Sequence, residues 1–291
     1  RSSAEDLVHA GRGRVVAAKR AGILLAILIP LVAVGAAHAA DFRGLINFAG
    51  RVVKWGSPDY GSGAEITYAF LQRARTFPGA RNCARMLPIQ ALTKRAMISR
   101  AALREIVRKA TAVWSAAAPL TFREIADPDR ANIVIGAQDG RRGIAFTNVS
   151  RNDGAGPVSA LTRATICLDP SERWSAGFDG NPATYDLPRV LVHELGHAIG
   201  LDHQGRDTGI MGYAYIEQRD IVLSASDLAA LTRLYGPLTT HQAVLPAALG
   251  PRQQTTPHAQ GCLPEADGTI DCGLAPATGG VPESTAARRG Y

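Results

Sequence analysis

The stretch His193-Glu194-Leu195-Gly196-His197-Ala198-Ile199-Gly200-Leu201-Asp202-His203 decides how this chain of 291 residues is read. On a helix, His193 and His197 stand at i and i+4, so both imidazoles project from one face. That spacing lets two ring nitrogens meet one zinc ion. Glu194 is displaced one residue around the helix and reaches a water at the metal without being a ligand. Gly200 lies where the helix must stop, since glycine takes a left-handed conformation at little cost. The reversal carries His203 back toward the first two histidines. Three neutral nitrogen ligands leave a fourth position open, the pattern of a catalytic rather than a structural zinc site. Leu191, Val192, Leu195 and Ile199 mark the same helix as a core element.

Working outward, this helix begins near Asp186-Leu187-Pro188, with Asp suited to the cap and Pro to the first turn. A helix over 99–114 follows from Leu103, Ile106, Val107, Ala110 and Val113, with Trp114 beside them and Ser99 as cap. A third helix starts at Ser224, with Asp227 completing a variant capping box, and carries Leu228, Leu231 and Leu234. Five β-branched or apolar runs read as strands: Glu65–Phe70, Leu120–Ile125, Ala131–Gly136, Gly143–Val149 and Ala164–Leu168. Arg151–Pro157 is a turn-rich loop. These elements predict an α+β fold: a twisted mixed sheet of about five strands with an active-site helix, a backing helix and a C-terminal helix.

The extended histidine motif resembles that of the metzincin metallopeptidases. Ile210-Met211-Gly212-Tyr213 follows His203 at the interval of the matrixin branch, and resembles its Met-containing turn. Leu223–Asp227, Leu234-Tyr235-Gly236, Ala112–Ser115 and Pro119–Phe122 match matrixin segments as well, so the resemblance covers about residues 55–236. It implies a zinc endopeptidase in which His193, His197 and His203 hold the metal, Glu194 is the general base and Met211 is a structural floor. Tyr213 stands where astacins and serralysins place a zinc-liganding tyrosine. Tyr215 stands where matrixins line the specificity pocket. Either is a candidate to assist the oxyanion, beside the plainer reading of a tyrosine packed under the site. Matrixin calcium carboxylates fall on Asp169 and Glu172, so Ca2+ is carried as an expectation beside the reading of a carboxylate pair on a solvated turn. The histidines of the second, structural zinc of animal matrixins fall near Phe146 and Cys167, so one zinc is expected. The strand Ala164–Leu168 is expected to pair with an extended substrate, as the family's edge strand does.

The flanks add localisation. Arg12, Arg14, Lys19 and Arg20 precede an apolar run over 21–37, and Ala37-His38-Ala39 supplies a small-residue cleavage pattern. Residues 1–39 therefore read as a signal peptide, with an uncleaved membrane anchor as the alternative. The exported chain is expected to be secreted or periplasmic. No Pro-Arg-Cys-Gly motif is present, and no cysteine-switch latency is expected. Residues 40–63 read as a lead-in, 64–236 as the peptidase domain and 237–291 as a Pro/Thr/Gly-rich flexible tail. An oxidising compartment lets cysteines pair. Four cysteines allow three connectivities. Cys83–Cys167 with a local Cys262–Cys272 loop is preferred, and Cys83 as an inhibitory zinc ligand is the other reading.

The formal charge is +7, with five basic and two acidic residues in the first 40, so the remainder carries +4. That mild excess, without basic and aromatic interleaving, points away from nucleic acid. The expected partner is a protein or peptide substrate, the expected state a monomer, and a membrane enters only if the N-terminal segment is retained. The rival classes are a catalytically silent metal-binding or adhesion module on the same fold, and a hydrolase of non-peptide substrates.

Overall fold

The computed structural model describes residues 45–238 apart from 49, 142, 205–208 and 217, together with 263–264 and 270–273. The signal or anchor segment lies outside the described residues. So does the Cys262–Cys272 pairing. Among the described residues no helix is long and apolar enough to cross a membrane.

The chain opens with β1 (Asn47–Phe48), β2 (Arg51–Lys54) and β3 (Ala64–Phe70). A hairpin of β4 (Arg75–Thr76) and β5 (Arg85–Leu87) leads to the helices α1 (Gln90–Ala96) and α2 (Arg100–Ser115). Then come β6 (Leu120–Glu124), β7 (Ile133–Gln138), β8 (Ala145–Asn152) and β9 (Val158–Leu168). The short β10 (Trp174–Ser175) and β11 (Tyr185–Asp186) pair with each other. Two helices follow, α3 (Leu187–Ala198) and α4 (Ala225–Tyr235), and then β12 (Leu263–Pro264) and β13 (Ile270–Gly273).

The main sheet has the order β12-β13-β8-β9-β7-β3-β6, so the fold is α+β with a mixed sheet. Its heart is the five strands read from sequence. β6, β3, β7 and β9 run parallel, and β8 runs antiparallel to β9. All six residues of β7 are buried, as expected of a strand with parallel neighbours on both sides. The strand expected to receive substrate is misplaced by the sequence reading. Residues 164–168 belong to β9, which is paired on one side by β8 and on the other by β7. A strand with both edges filled cannot accept a third partner, so the outer side of this half-sheet belongs to β8, along which β13 pairs at residues 146–149.

The three long helices follow their caps. Ser99 Oγ accepts from Ala102 N, Asp186 accepts from Arg189 N, and Ser224 with Asp227 forms a complete capping box. Along α2, Trp114 is fully buried where Val113 is only half-buried. Its indole Nε1 donates to Val192 O at 3.0 Å and ties α2 to α3.

Five residues of the stretch read as a lead-in are core. Leu45, Ile46, Val52, Val53 and Trp55 are all buried in the main apolar cluster, and β2 pairs in parallel with the start of β9. The sequence shows too short an apolar run there for periodicity to register. On the other side of the sheet, Cys83 and Cys167 are joined by a disulfide with Cα atoms 6.1 Å apart. That bond pins the β4–β5 hairpin to the end of β9 and removes Cys83 as a metal ligand.

Candidate active site and metal centre

The site begins with α3. Every residue of this helix except Pro188 is buried, so its histidines sit inside the protein rather than on its surface. A helix ending in the interior must find partners for its last carbonyls. The N-terminal segment and the last helix supply them. Trp55 Nε1 donates to Ala198 O at 2.7 Å, Tyr235 Oη donates to Ile199 O at 2.8 Å, and Ile46 N donates to Gly200 O at 3.0 Å. Gly200 has φ +100°, and a Cβ there would run into the carbonyl of Val53. The reversal therefore needs glycine on two counts, conformation and space.

The reversal places His203 against the helix. Its ring lies 5.1 Å from that of His193 and 4.6 Å from that of His197, centroid to centroid. All three histidines are buried, and one nitrogen from each falls within 4.8 Å of the other two. Among the described residues this is the one group of three or more ligating side chains so arranged.

Hydrogen bonding fixes the tautomers. His193 Nδ1 lies 2.7 Å from Ile210 O, and His197 Nδ1 lies 2.8 Å from Leu201 O. A carbonyl only accepts, so each Nδ1 carries the proton and each neutral ring presents a lone pair at Nε2. Those two Nε2 atoms are 3.0 Å apart. Two lone pairs at that distance repel unless a cation lies between them. Protonation is a poor answer. Burial pushes His193 down to about 4, and burial with the neighbouring histidines pushes His197 well below the ordinary value. His203 is lowered in the same way, and neither of its ring nitrogens has a hydrogen-bond partner, Nδ1 lying 3.9 Å from Asp202 Oδ1. A divalent cation that favours imidazole, zinc among them, fits this donor set.

Glu194 is buried beside the trio. Thr147, on β8, donates from Oγ1 to Glu194 Oε2 at 2.6 Å. The sequence reading missed this partner, because a threonine in a strand carries no distinguishing pattern. Its only signal is a hydroxyl at a fully buried strand position.

Met211 is fully buried beneath the helix. Gly196 explains how closely it approaches: a Cβ at 196 would overlap the Met211 thioether and crowd the Trp114 ring. Gln204 N donates to Met211 O at 2.8 Å and joins this turn to the chain leaving His203.

The two tyrosines are placed differently. Tyr213 stacks on His203, with centroids 4.5 Å apart and an interplanar angle of 28°. Tyr215 is buried, and its hydroxyl accepts from Asp186 N at 2.8 Å, at the start of α3 and about two turns before His193. It packs edge-on to Tyr185 as a wall. Its hydroxyl thereby lies at the start of α3.

Asp169 and Glu172 face a common arginine. Arg141 donates to Glu172 Oε1 at 3.0 Å and lies 3.8 Å from Asp169 Oδ2. Asp169 Oδ1 also accepts from Ser171 N and Oγ, at 2.7 and 2.6 Å. A guanidinium thus stands beside both carboxylates, while the buried Asp169 Oδ2 has no hydrogen-bond partner.

A family model described as matrixin matches residues 86–236. Macrophage metalloelastase of Oryctolagus cuniculus is 37% identical over 149 residues, covering 47% of this chain and 29% of that protein. Matrix metalloproteinase-16 of Homo sapiens is 34% identical over 151 residues, covering 46% and 24%. Matrix metalloproteinase-26 of Homo sapiens is 32% identical over 149 residues, covering 46% and 52%. The chain thus spans from about a quarter to about half the length of these relatives.

Proposed function

The chain belongs to the matrixin family, and on that premise we propose that it is a secreted zinc endopeptidase that hydrolyses peptide bonds in extended protein substrates. The observation that carries this reading is the buried histidine trio, with its tautomers set by Ile210 O and Leu201 O and a glutamate held beside it by Thr147. His193, His197 and His203 would hold the zinc, which when bound supplies a Lewis acid and an acidified water.

The rest is done by the chain's own groups. Glu194 accepts a proton from the attacking water and later delivers it to the departing amine nitrogen. Thr147 fixes the carboxylate's orientation through its 2.6 Å hydrogen bond. Tyr213, flat against His203, walls the site and is the candidate phenolic donor to the developing oxyanion. Tyr215 acts as a pocket wall. Met211 is the floor that lets α3 and the turn pack closely. An extended substrate would hydrogen-bond to the edge of β8, the strand that carries Thr147. Secretion rests on the basic, apolar and small-residue sequence of residues 12–39. A monomer is the working state.

The test is cleavage of an unstructured protein by the zinc-loaded chain, with fragments identified by mass spectrometry, beside Glu194→Ala. Discrete internal cuts that fall about 10²–10⁴-fold in Glu194→Ala, with zinc content unchanged, are expected. A folded, zinc-loaded chain that cuts nothing would sink the reading and leave a metal-binding module on this fold.

A further inference from the structure

β8 has two sides. One pairs with β9. On the other lies β13, in antiparallel register: Ile270 opposite Val149, Asp271 opposite Asn148, Cys272 opposite Thr147 and Gly273 opposite Phe146. The Thr147 that β13 covers is the residue whose hydroxyl bonds the Glu194 carboxylate. The C-terminal segment therefore lies along β8 at the point closest to the proposed chemistry.

A strand edge offers one row of backbone donors and acceptors, and one added strand uses them up. A peptide in the position proposed for substrate needs the groups of residues 146–149 that β13 already engages. The outer side of β13 is closed in turn by β12, paired as Leu263 opposite Asp271 and Pro264 opposite Ile270. Proline lacks the N–H that a further strand would require. A substrate cannot simply add outside the hairpin and still reach the site.

We propose that residues 270–273 are an intramolecular competitor for the substrate edge, so that the C-terminal segment restrains this chain's own peptidase site. The inference rests on the peptidase reading above. As part of the same chain, the segment is present at millimolar effective concentration, enough to compete with a peptide substrate of ordinary affinity. Release of the segment, by cleavage or by a partner that binds it, then raises activity without any change at the zinc ligands.

Successive residues of β13 direct their N–H groups alternately toward β8 and toward β12. Ile270→Pro and Asp271→Pro, made separately in the full chain, therefore include at least one loss of a bond to β8. Two readouts are taken on zinc-loaded wild type and both variants: KM and kcat for an unstructured peptide, and amide exchange of residues 146–149. Expected in at least one variant are a KM about tenfold lower at unchanged kcat, and faster exchange at 146–149. A synthetic peptide of residues 261–274 added to that variant restores the higher KM competitively. The proposal is overturned if 146–149 exchange as fast in wild type as in both variants. Faster exchange with an unchanged KM overturns it too. If every chain binds zinc and none hydrolyses peptide, the peptidase reading falls and this inference with it.

Discussion

The histidine trio and the Asp169–Glu172 turn both bring metal-ligating side chain types together, and the protein treats them in opposite ways. At the turn, the chain supplies its own cation: Arg141 reaches both carboxylates, and its side chain is 71% exposed to water. At the trio, three neutral imidazoles are buried together, two with lone pairs 3.0 Å apart and the third without a hydrogen-bond partner on either nitrogen. Ligand chemistry is shared by the two regions. What separates them is whether the protein supplies a positive charge of its own, although the buried Asp169 Oδ2 is left without a hydrogen-bond partner. A carboxylate pair beside a guanidinium has a balancing charge at hand, whereas buried imidazoles with converging lone pairs are costly until an ion arrives.

The largest expected contrast is in chelation. Removing zinc should destabilise the folded chain by about 4 kcal/mol when the free metal had stood at 1,000 times its dissociation constant. Calcium added to or withheld from the same sample should leave the unfolding midpoint where it was. A calcium-dependent midpoint would erase the distinction between the two regions.

Acid gives the next effect. The folded-state value of His193 is lowered to about 4, below its unfolded value of about 6.5. The unfolded chain thus binds the proton first, so stability is full above pH 6.5 and is lost as pH falls toward 4. For His193 alone the loss between pH 7 and pH 5 is about 2 kcal/mol, and His197 and His203 add in the same direction. Denaturant midpoints of the metal-free chain across that range measure it. A flat profile would mean that the histidines are not held neutral.

Thr147→Val removes the donor to Glu194 while keeping the shape. A fall in kcat of about tenfold with zinc retained is expected, the lower end of what second-layer partners of metal sites contribute. Unchanged kcat would make the contact packing only. The smallest effect should come from Arg141→Met. Because that arginine is largely exposed, its loss should leave thermal unfolding almost unchanged. If the variant then becomes calcium-responsive, the arginine is indeed standing where a cation would.

Much of this was legible in the sequence for a definite reason. The caps Ser99, Asp186 and Ser224 are local chemistry, decided within four residues, and all three are found where read. The His193–His203 spacing encodes its own geometry through the helix period. What stayed hidden depends on chain segments far apart. Trp55 and Tyr235 seal the end of α3 from 143 and 36 residues away. Thr147 meets Glu194 across 47. No local pattern announces such partners. The misassigned substrate strand is instructive in another way. Residues 164–168 are buried without a break, the mark of an interior strand, whereas β8 mixes buried and half-buried positions and carries Asn148, Ser150, Arg151 and Asn152. Continuous burial should have argued against an edge.

The sealing of α3 also sets an order of events during synthesis. The last turn of the helix that carries His197 is closed by a hydroxyl from Tyr235, which also accepts from Trp55 N at 3.1 Å, near the opposite end of the domain. A ribosome that has reached residue 230 has made all three histidines and the glutamate, yet not the residue that closes their helix. The nascent chain is thus expected to remain without an assembled site until the final helix emerges, so that a potential protease is born late relative to its own sequence. Released chains ending at residue 230 and at residue 262, compared for zinc uptake, would show whether the last helix is needed: equal uptake by both would say that it is not.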